Sequence, residues 1–168
     1  MLGVIERKIT EKLESSQLLC GMNIEPFPAE FEDYNFTSAL GCILIQYAGE
    51  DFDEPETLSL TAQTDTYSYI VYVGLRSLSS LNEAYPVLKE VKDLLTGLRI
   101  DGVNKDDEFS APASGKELYP VSIKYAGKIN YNDNFWSMTF KINLPNASKY
   151  EHIPLNPSKP VTKILQRR

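Results

Sequence analysis

Between Thr66 and Leu98 the hydrophobic pattern changes period, and that change predicts the centre of the fold. From Tyr67 to Leu75 nearly every residue is aromatic or β-branched, which suits a pleated, largely buried central strand. Beyond Leu75-Arg76-Ser77-Leu78-Ser79-Ser80 the alternation stops. Leu81, Ala84, Tyr85, Leu88, Val91, Leu95 and Leu98 then recur at three- and four-residue steps, which gives one apolar face of an amphipathic helix. Ser80-Leu81-Asn82-Glu83 reads as a capping box in which serine and glutamate satisfy orphan amides of the first turn. Pro86 fits only near that start, and Gly97 marks the stop.

The same reading extends in both directions. Residues 3 to 19 place Val4, Ile5, Ile9, Leu13 and Leu18 on one side of a first helix that Gly21 ends. Met22 to Pro28 alternates like a short strand, and its two prolines confine it to an edge. Phe31 to Ala39 fits neither period. Cys42 to Gly49 is an apolar run of strand length, suited to burial on both faces. Thr57 to Thr64 alternates weakly and leads into the central strand as one long, bulged or bent strand. Asp101 to Gly115 reads as a long loop, of a length that is often functional. Leu118 to Ala126, with Val121, Ile123 and Tyr125 on one face, and Phe135 to Leu144 form an antiparallel hairpin. Its turn uses Asn130, Asn132 and Asp133. The fold class expected is therefore α+β: a two-layer sandwich of a mostly antiparallel, roughly five-stranded sheet and two amphipathic helices. It forms one domain over residues 1 to 144, followed by a proline-rich, extended C-terminal arm over 145 to 168.

Charge sharpens this division. The chain of 168 residues has a net charge of −6, yet the arm carries Lys149, Lys159, Lys163, Arg167 and Arg168 against Glu151 alone. Residues 1 to 144 therefore hold −10 and the arm +4. An acidic body lacks the cationic face that wrapping nucleic acid needs. Glu50, Asp51, Asp53, Glu54 and Glu56 surround Phe52 and Pro55 in what reads as a solvated acidic loop. In the arm, Tyr150, Ile153, Leu155, Ile164 and Leu165 are apolar groups that a solvated tail has no use for, which points to an arm that binds something. With Phe52 they are the candidate subunit or partner interface.

Candidate chemistry is sparse. His152 is the only histidine and lies in the arm, so a histidine-activated nucleophile is not indicated. The sequence has neither a phosphate-cradling glycine motif nor a metal-ligand spacing, and Cys20 and Cys42 read as reduced, partly buried thiols. The N-terminus lacks a signal-peptide pattern and no apolar run has the length of a membrane span, which gives a cytoplasmic expectation. No catalytic residue, cofactor or metal site is expected.

In order, the pieces resemble a known family. These are an N-terminal helix, an edge strand ending in Glu25-Pro26-Phe27-Pro28 and an apolar strand closing in Tyr47-Ala48-Gly49. The strand from Tyr69 to Leu75 follows, leading through Arg76-Ser77 into a helix ending Leu94-Leu95-Thr96-Gly97-Leu98, and then a final hairpin. Over residues 1 to 144 this resembles the tail terminator (tail completion) proteins of Mu-like, long-tailed phages. The resemblance implies a non-enzymatic virion protein, assembled in the host cytoplasm, at the head-proximal end of the tail. It implies a homohexameric ring that caps the tail tube, ends its growth and presents the surface for head docking. Its partners would be further copies of itself, the tail tube protein, the sheath and the head–tail connector or neck proteins. DNA would only pass through the channel, and no membrane would be involved. The acidic loop would then line the lumen and repel DNA phosphates. Two other readings stand beside it: a head-completion or connector adaptor, or the cap of a phage-derived contractile injection system, and a small hydrolase or ligand-binding domain.

Overall fold

The computed structural model describes residues 2–32, 34–52, 62–100, 117–129 and 133–147. Helix α1 (Leu2–Glu14) leads into strand β1 (Asn23–Pro26), β2 (Gly41–Phe52) and β3 (Ala62–Arg76). A one-turn 3-10 helix (Leu81–Ala84) runs into α2 (Tyr85–Leu95), and β4 (Tyr119–Ile129) and β5 (Asp133–Ala147) complete the described chain. The sheet order is β1-β2-β3-β5-β4; β1 runs parallel to β2, and the other pairings are antiparallel. This is the α+β architecture expected, with β3 in the middle of the sheet and β1 on an edge.

Both helices pack on one face of the sheet, each using a single stripe. Ile5, Ile9 and Leu13 of α1, spaced four apart, and Leu88, Val91 and Leu95 of α2 are buried against Ile43 and Ile45, the odd residues from Tyr67 to Leu75, and the even residues from Trp136 to Leu144. Ser16 Oγ donates to Glu90 Oε1 at 2.6 Å and ties the end of α1 to α2. Helix α1 ends at Glu14, short of Gly21, so Leu19 enters the core and Leu18 stays exposed. The start of α2 follows the capping logic with an offset. Ser80 Oγ accepts from the Asn82 amide, and Glu83 accepts from the Ser79 amide one residue outside the expected box. Pro86 sits in the first turn, and Gly97 takes φ 76°, the left-handed conformation that suits a helix terminator.

The stretch of no clear period became the cover of the other sheet face. Residues 27–32 and 34–40 are irregular and connect the parallel β1 and β2, and Phe36 is buried there with Cys42, Leu44 and Phe135, flanked by Phe27, Phe31, Tyr34 and Tyr72. Phe27 and Phe31 stack at 5.0 Å between ring centroids, and the Phe135 edge meets Phe31 at 5.7 Å. Strand β2 is thus buried on both faces at Cys42 to Ile45, as its apolar run implied. Two glycines allow the close packing here. A Cβ on Gly41 would lie 2.1 Å from the Gly74 carbonyl oxygen, and one on Gly74 would lie 2.5 Å from the Phe135 ring.

Several boundaries differ from the sequence expectation. Strand β2 continues through Glu50, Asp51 and Phe52, which pair with Tyr67, Thr66 and Asp65; a bulge after Tyr47 re-aims the strand and lets pairing persist where a loop was expected. Strand β5 runs to Ala147, three residues past Leu144, because Ala62 to Thr64 offer it a partner. Asp133 is the first residue of β5 and not a turn residue. Cys20 and Cys42 are both free thiols, with Cys20 exposed and Cys42 buried. The loop from Asp101 to Gly115, the hairpin residues Asn130 and Asn132, and the arm beyond Ala147 lie outside the described residues.

Candidate assembly surface

The most distinctive surface of the described molecule is the flank where α2 meets β4. Strand β4 is a sheet edge, and Tyr119, Val121, Ile123 and Tyr125 are all exposed on it. Ile123 pairs with Met138 and Tyr125 with Trp136, so both side chains lie on the helix side of the sheet, beyond the cover that α2 provides. With Tyr85, Leu88 and Trp136 they line an open groove of about 390 Å³, rimmed by Lys89 and Lys92. Tyr85 was expected in the core by periodicity; it is 62 % exposed, because the α2 stripe buries Leu88, Val91 and Leu95 and turns Tyr85 toward the groove. Tyr125 packs on Trp136 at 5.4 Å and donates its hydroxyl to Asn134 Oδ1 at 2.9 Å, so the aromatic wall is held in place.

The backbone edge of β4 is less inviting than its side chains. Pro120 removes a donor, and bulges after Pro120 and after Tyr125 break the ladder twice within eleven residues. Such features blunt an edge against strand addition. The apolar row therefore presents a face for docking more than a template for a further strand.

The opposite flank is closed by the chain itself. Phe27 N–H donates to the Ile45 carbonyl at 2.8 Å, prolonging the β1–β2 pairing into the crossover. Arg76, at the end of β3, clamps that crossover. Its Nε donates to Asp133 Oδ1 at 3.1 Å, its Nη atoms reach the Ser38 and Phe36 carbonyls at 3.3 and 3.4 Å, and its guanidinium lies 4.1 Å from the centre of the Phe36 ring. Asp133 is buried and salt-bridged, so the pair fastens β3, β5 and the cover together. Arg76 belonged to a sequence signature without an assigned role, and its position after a strand rich in aromatics was the one available signal.

The candidate residues from sequence divide between these regions. Phe52 closes β2 and is 59 % exposed. Glu50 shares its face and lies against Tyr47 and Tyr67. Burial first, and this carboxylate second, raises both phenols, that of Tyr67 to about 12. Asp51 points to the other face and pairs with Lys141 at 3.2 Å. Asp53, Glu54, Glu56, Tyr150, Ile153, Leu155, Ile164 and Leu165 lie outside the described residues. Tyr85, Ile123 and Tyr125 were not singled out as a surface; alternation alone cannot say which face of an edge strand lacks a cover.

Among the described residues there is no cluster of histidine, cysteine or carboxylates able to hold a metal ion, and no helix long and apolar enough to cross a membrane. Cys42 is no activated nucleophile. Burial pushes its thiol up to about 12, which leaves it protonated at neutral pH. A second open depression, about 530 Å³, lies between Lys12 and the end of α2 and is lined by Glu90, Asp93 and Arg99 among others.

A mostly antiparallel sheet with helices on one face, an aromatic crossover on the other and an uncovered apolar flank defines a two-layer α+β domain with one side left open. The chain belongs to the Gp37 protein family, whose model matches residues 11–142. Among solved structures, it is similar to a chain in the virion of a native gene transfer agent (GTA) particle. The two share 12% sequence identity and a TM-score of 0.56, over 86% of this chain and 97% of that chain. No curated protein sequence matches it.

Proposed function

We propose that this chain is a structural virion protein, a tail terminator whose copies form a ring, with six subunits expected, at the head-proximal end of a tail tube. The observation that carries the reading is the fold shared, nearly end to end, with a chain of a virion particle. Membership of the Gp37 family and the sequence resemblance to tail terminators point the same way. The uncovered α2–β4 flank gives such a subunit something to join with.

In this role the protein acts by geometry and not by catalysis. A ring seated on the last layer of tube protein covers the surface to which another layer would add, and its far side offers the neck proteins a flat platform. The contractile sheath would end at the same level. Glu50, Asp51, Asp53, Glu54 and Glu56 are the proposed lumen group, where an acidic lining keeps DNA phosphates from adhering as the genome passes. The arm, with Tyr150, Ile153, Leu155, Ile164 and Leu165, is proposed to reach a neighbouring copy. Truncation after Ala147 should leave the body folded and weaken ring formation or docking.

Electron microscopy of the purified protein mixed with tail tubes tests the reading. A ring at one end of each tube, with tube growth arrested, is expected. A ring bound only to the portal side would favour the connector reading, and bare tubes that continue to grow would refute both. A neutral version of the acidic group that leaves genome ejection unchanged would remove that group from the lumen.

A further inference from the structure

We infer that the α2–β4 groove is the socket for the Phe52 tip of the next copy, so that subunits join head to tail. This rests on the ring reading above, names its contact and moves Glu50 from the proposed lumen group to the seam between copies. The groove is apolar, with Tyr85, Ile123, Tyr125 and Trp136 on its walls and Lys89 and Lys92 on its rim. The tip is its complement. Phe52 stands exposed at the end of β2 on the helix side of the sheet, paired with Asp65, and shares that face with Glu50. Asp51 precedes it, and the sequence continues with Asp53, Glu54 and Glu56, so five of the seven residues from 50 to 56 are acidic and none is basic. An aromatic side chain with Glu50 on its face, in an acidic stretch of sequence, fits an aromatic groove whose rim carries Lys92 and Lys89, the latter paired with Asp93.

Position on the sheet excludes self-docking of the two features within one subunit. The Tyr125 row passes through Trp136 and Val73 to Ile43, so Phe52 is nine residues farther along β2. At about 3.3 Å per residue that separates tip and socket by roughly 30 Å along the strands, and the three strand spacings from β2 to β4 add about 14 Å across. Two different surfaces at opposite corners make a heterologous contact, which closes into a ring when the rotation between copies allows it. A two-fold dimer would instead bring groove to groove and set Lys89 and Lys92 against their own copies.

Cysteine pairing tests this in a Cys20→Ser background, where the remaining Cys42 is buried. Under mild oxidation, with and without tail tubes, the Phe52→Cys/Tyr85→Cys double variant should give a ladder of disulfide-linked species ending in a closed ring. Either single variant alone should stay monomeric, and an equal mixture of the two should stop at dimers. Dimers from Tyr85→Cys alone, or from Phe52→Cys alone, would overturn the inference in favour of a two-fold contact. Rings seen by microscopy without cross-links in the double variant would overturn it in favour of another occupant and leave the ring standing. Absence of any ring would remove both. A charge swap guards against a variant that misfolds: Lys92→Glu should weaken assembly about tenfold or more, and Glu50→Lys in the same chain should restore it. Unchanged assembly of the first variant, or no restoration by the second, would also refute the contact.

Discussion

The two flanks of this sheet solve the same problem in opposite ways. At one end β1 is four residues long, half-buried, and sealed by an aromatic crossover that Arg76 holds down. At the other, β4 is eleven residues long and leaves Val121, Ile123 and Tyr125 about half exposed. A short covered edge needs nothing from outside, whereas a long apolar one is finished only by a partner. On the proposed reading one flank serves folding and the other assembly, and substitutions should separate the two.

The largest effect is expected on the closed flank. Gly41→Ala places a Cβ against the Gly74 carbonyl, a backbone atom that no rotamer change can move, and should destabilise the protein by about 3 kcal/mol or more in denaturant titrations. Arg76→Ala leaves Asp133 buried without its cation and frees the crossover. A loss of about 2–3 kcal/mol is expected, with faster proteolysis within residues 27 to 40. On the open flank, Tyr85→Gln/Ile123→Thr changes two exposed side chains for residues that suit helix and strand, and should change stability by about 1 kcal/mol at most while abolishing ring formation. In the centre, the Tyr69 hydroxyl is buried without a hydrogen-bond partner among the described residues, so Tyr69→Phe should stabilise by about 1 kcal/mol.

The closed flank also predicts a dependence on pH. Burial raises the Cys42 thiol from 9.0 to about 12, so the folded state holds its proton after the unfolded chain has lost it. The stabilisation is complete below pH 9 and is lost as pH rises from there toward 12, and Tyr67, raised from 10.0 to about 12 mainly by burial, adds to the same loss. Thermal denaturation should therefore give midpoints that fall above pH 9, and Cys42→Val should flatten the first part of that fall. At pH 8 one thiol, Cys20, should react with an alkylating reagent in the native protein and two after unfolding.

How much of this was legible in the sequence follows from what each feature depends on. Periodicity located α1, α2 and the strands because Ile5, Ile9 and Leu13, or the odd residues of β3, are set by a repeat within one element. The central place of β3 and the edge place of β1 followed from composition and from two prolines. The stretch from Phe31 to Ala39 was opaque, since its aromatics pack on Cys42 and Leu44 of one strand and Phe135 of another and share no period. Glu50 to Phe52 looked like a loop because five acids crowd together, and only the bulge after Tyr47 shows why they can still pair. The exposed flank could not be read at all. Tyr85 and Tyr125 have the pattern of core residues, and only the reach of α2 across the sheet decides that they stay uncovered.

Side-chain footprinting of the protein with and without tail tubes compares the two flanks in a single experiment. Tyr85 and Tyr125 should lose most of their reactivity toward hydroxyl radicals on assembly, while Tyr34, beneath the sealed flank, keeps the value it has in the free protein. Protection of Tyr34 with Tyr85 and Tyr125 unchanged would contradict the division between a closed flank and a joining one.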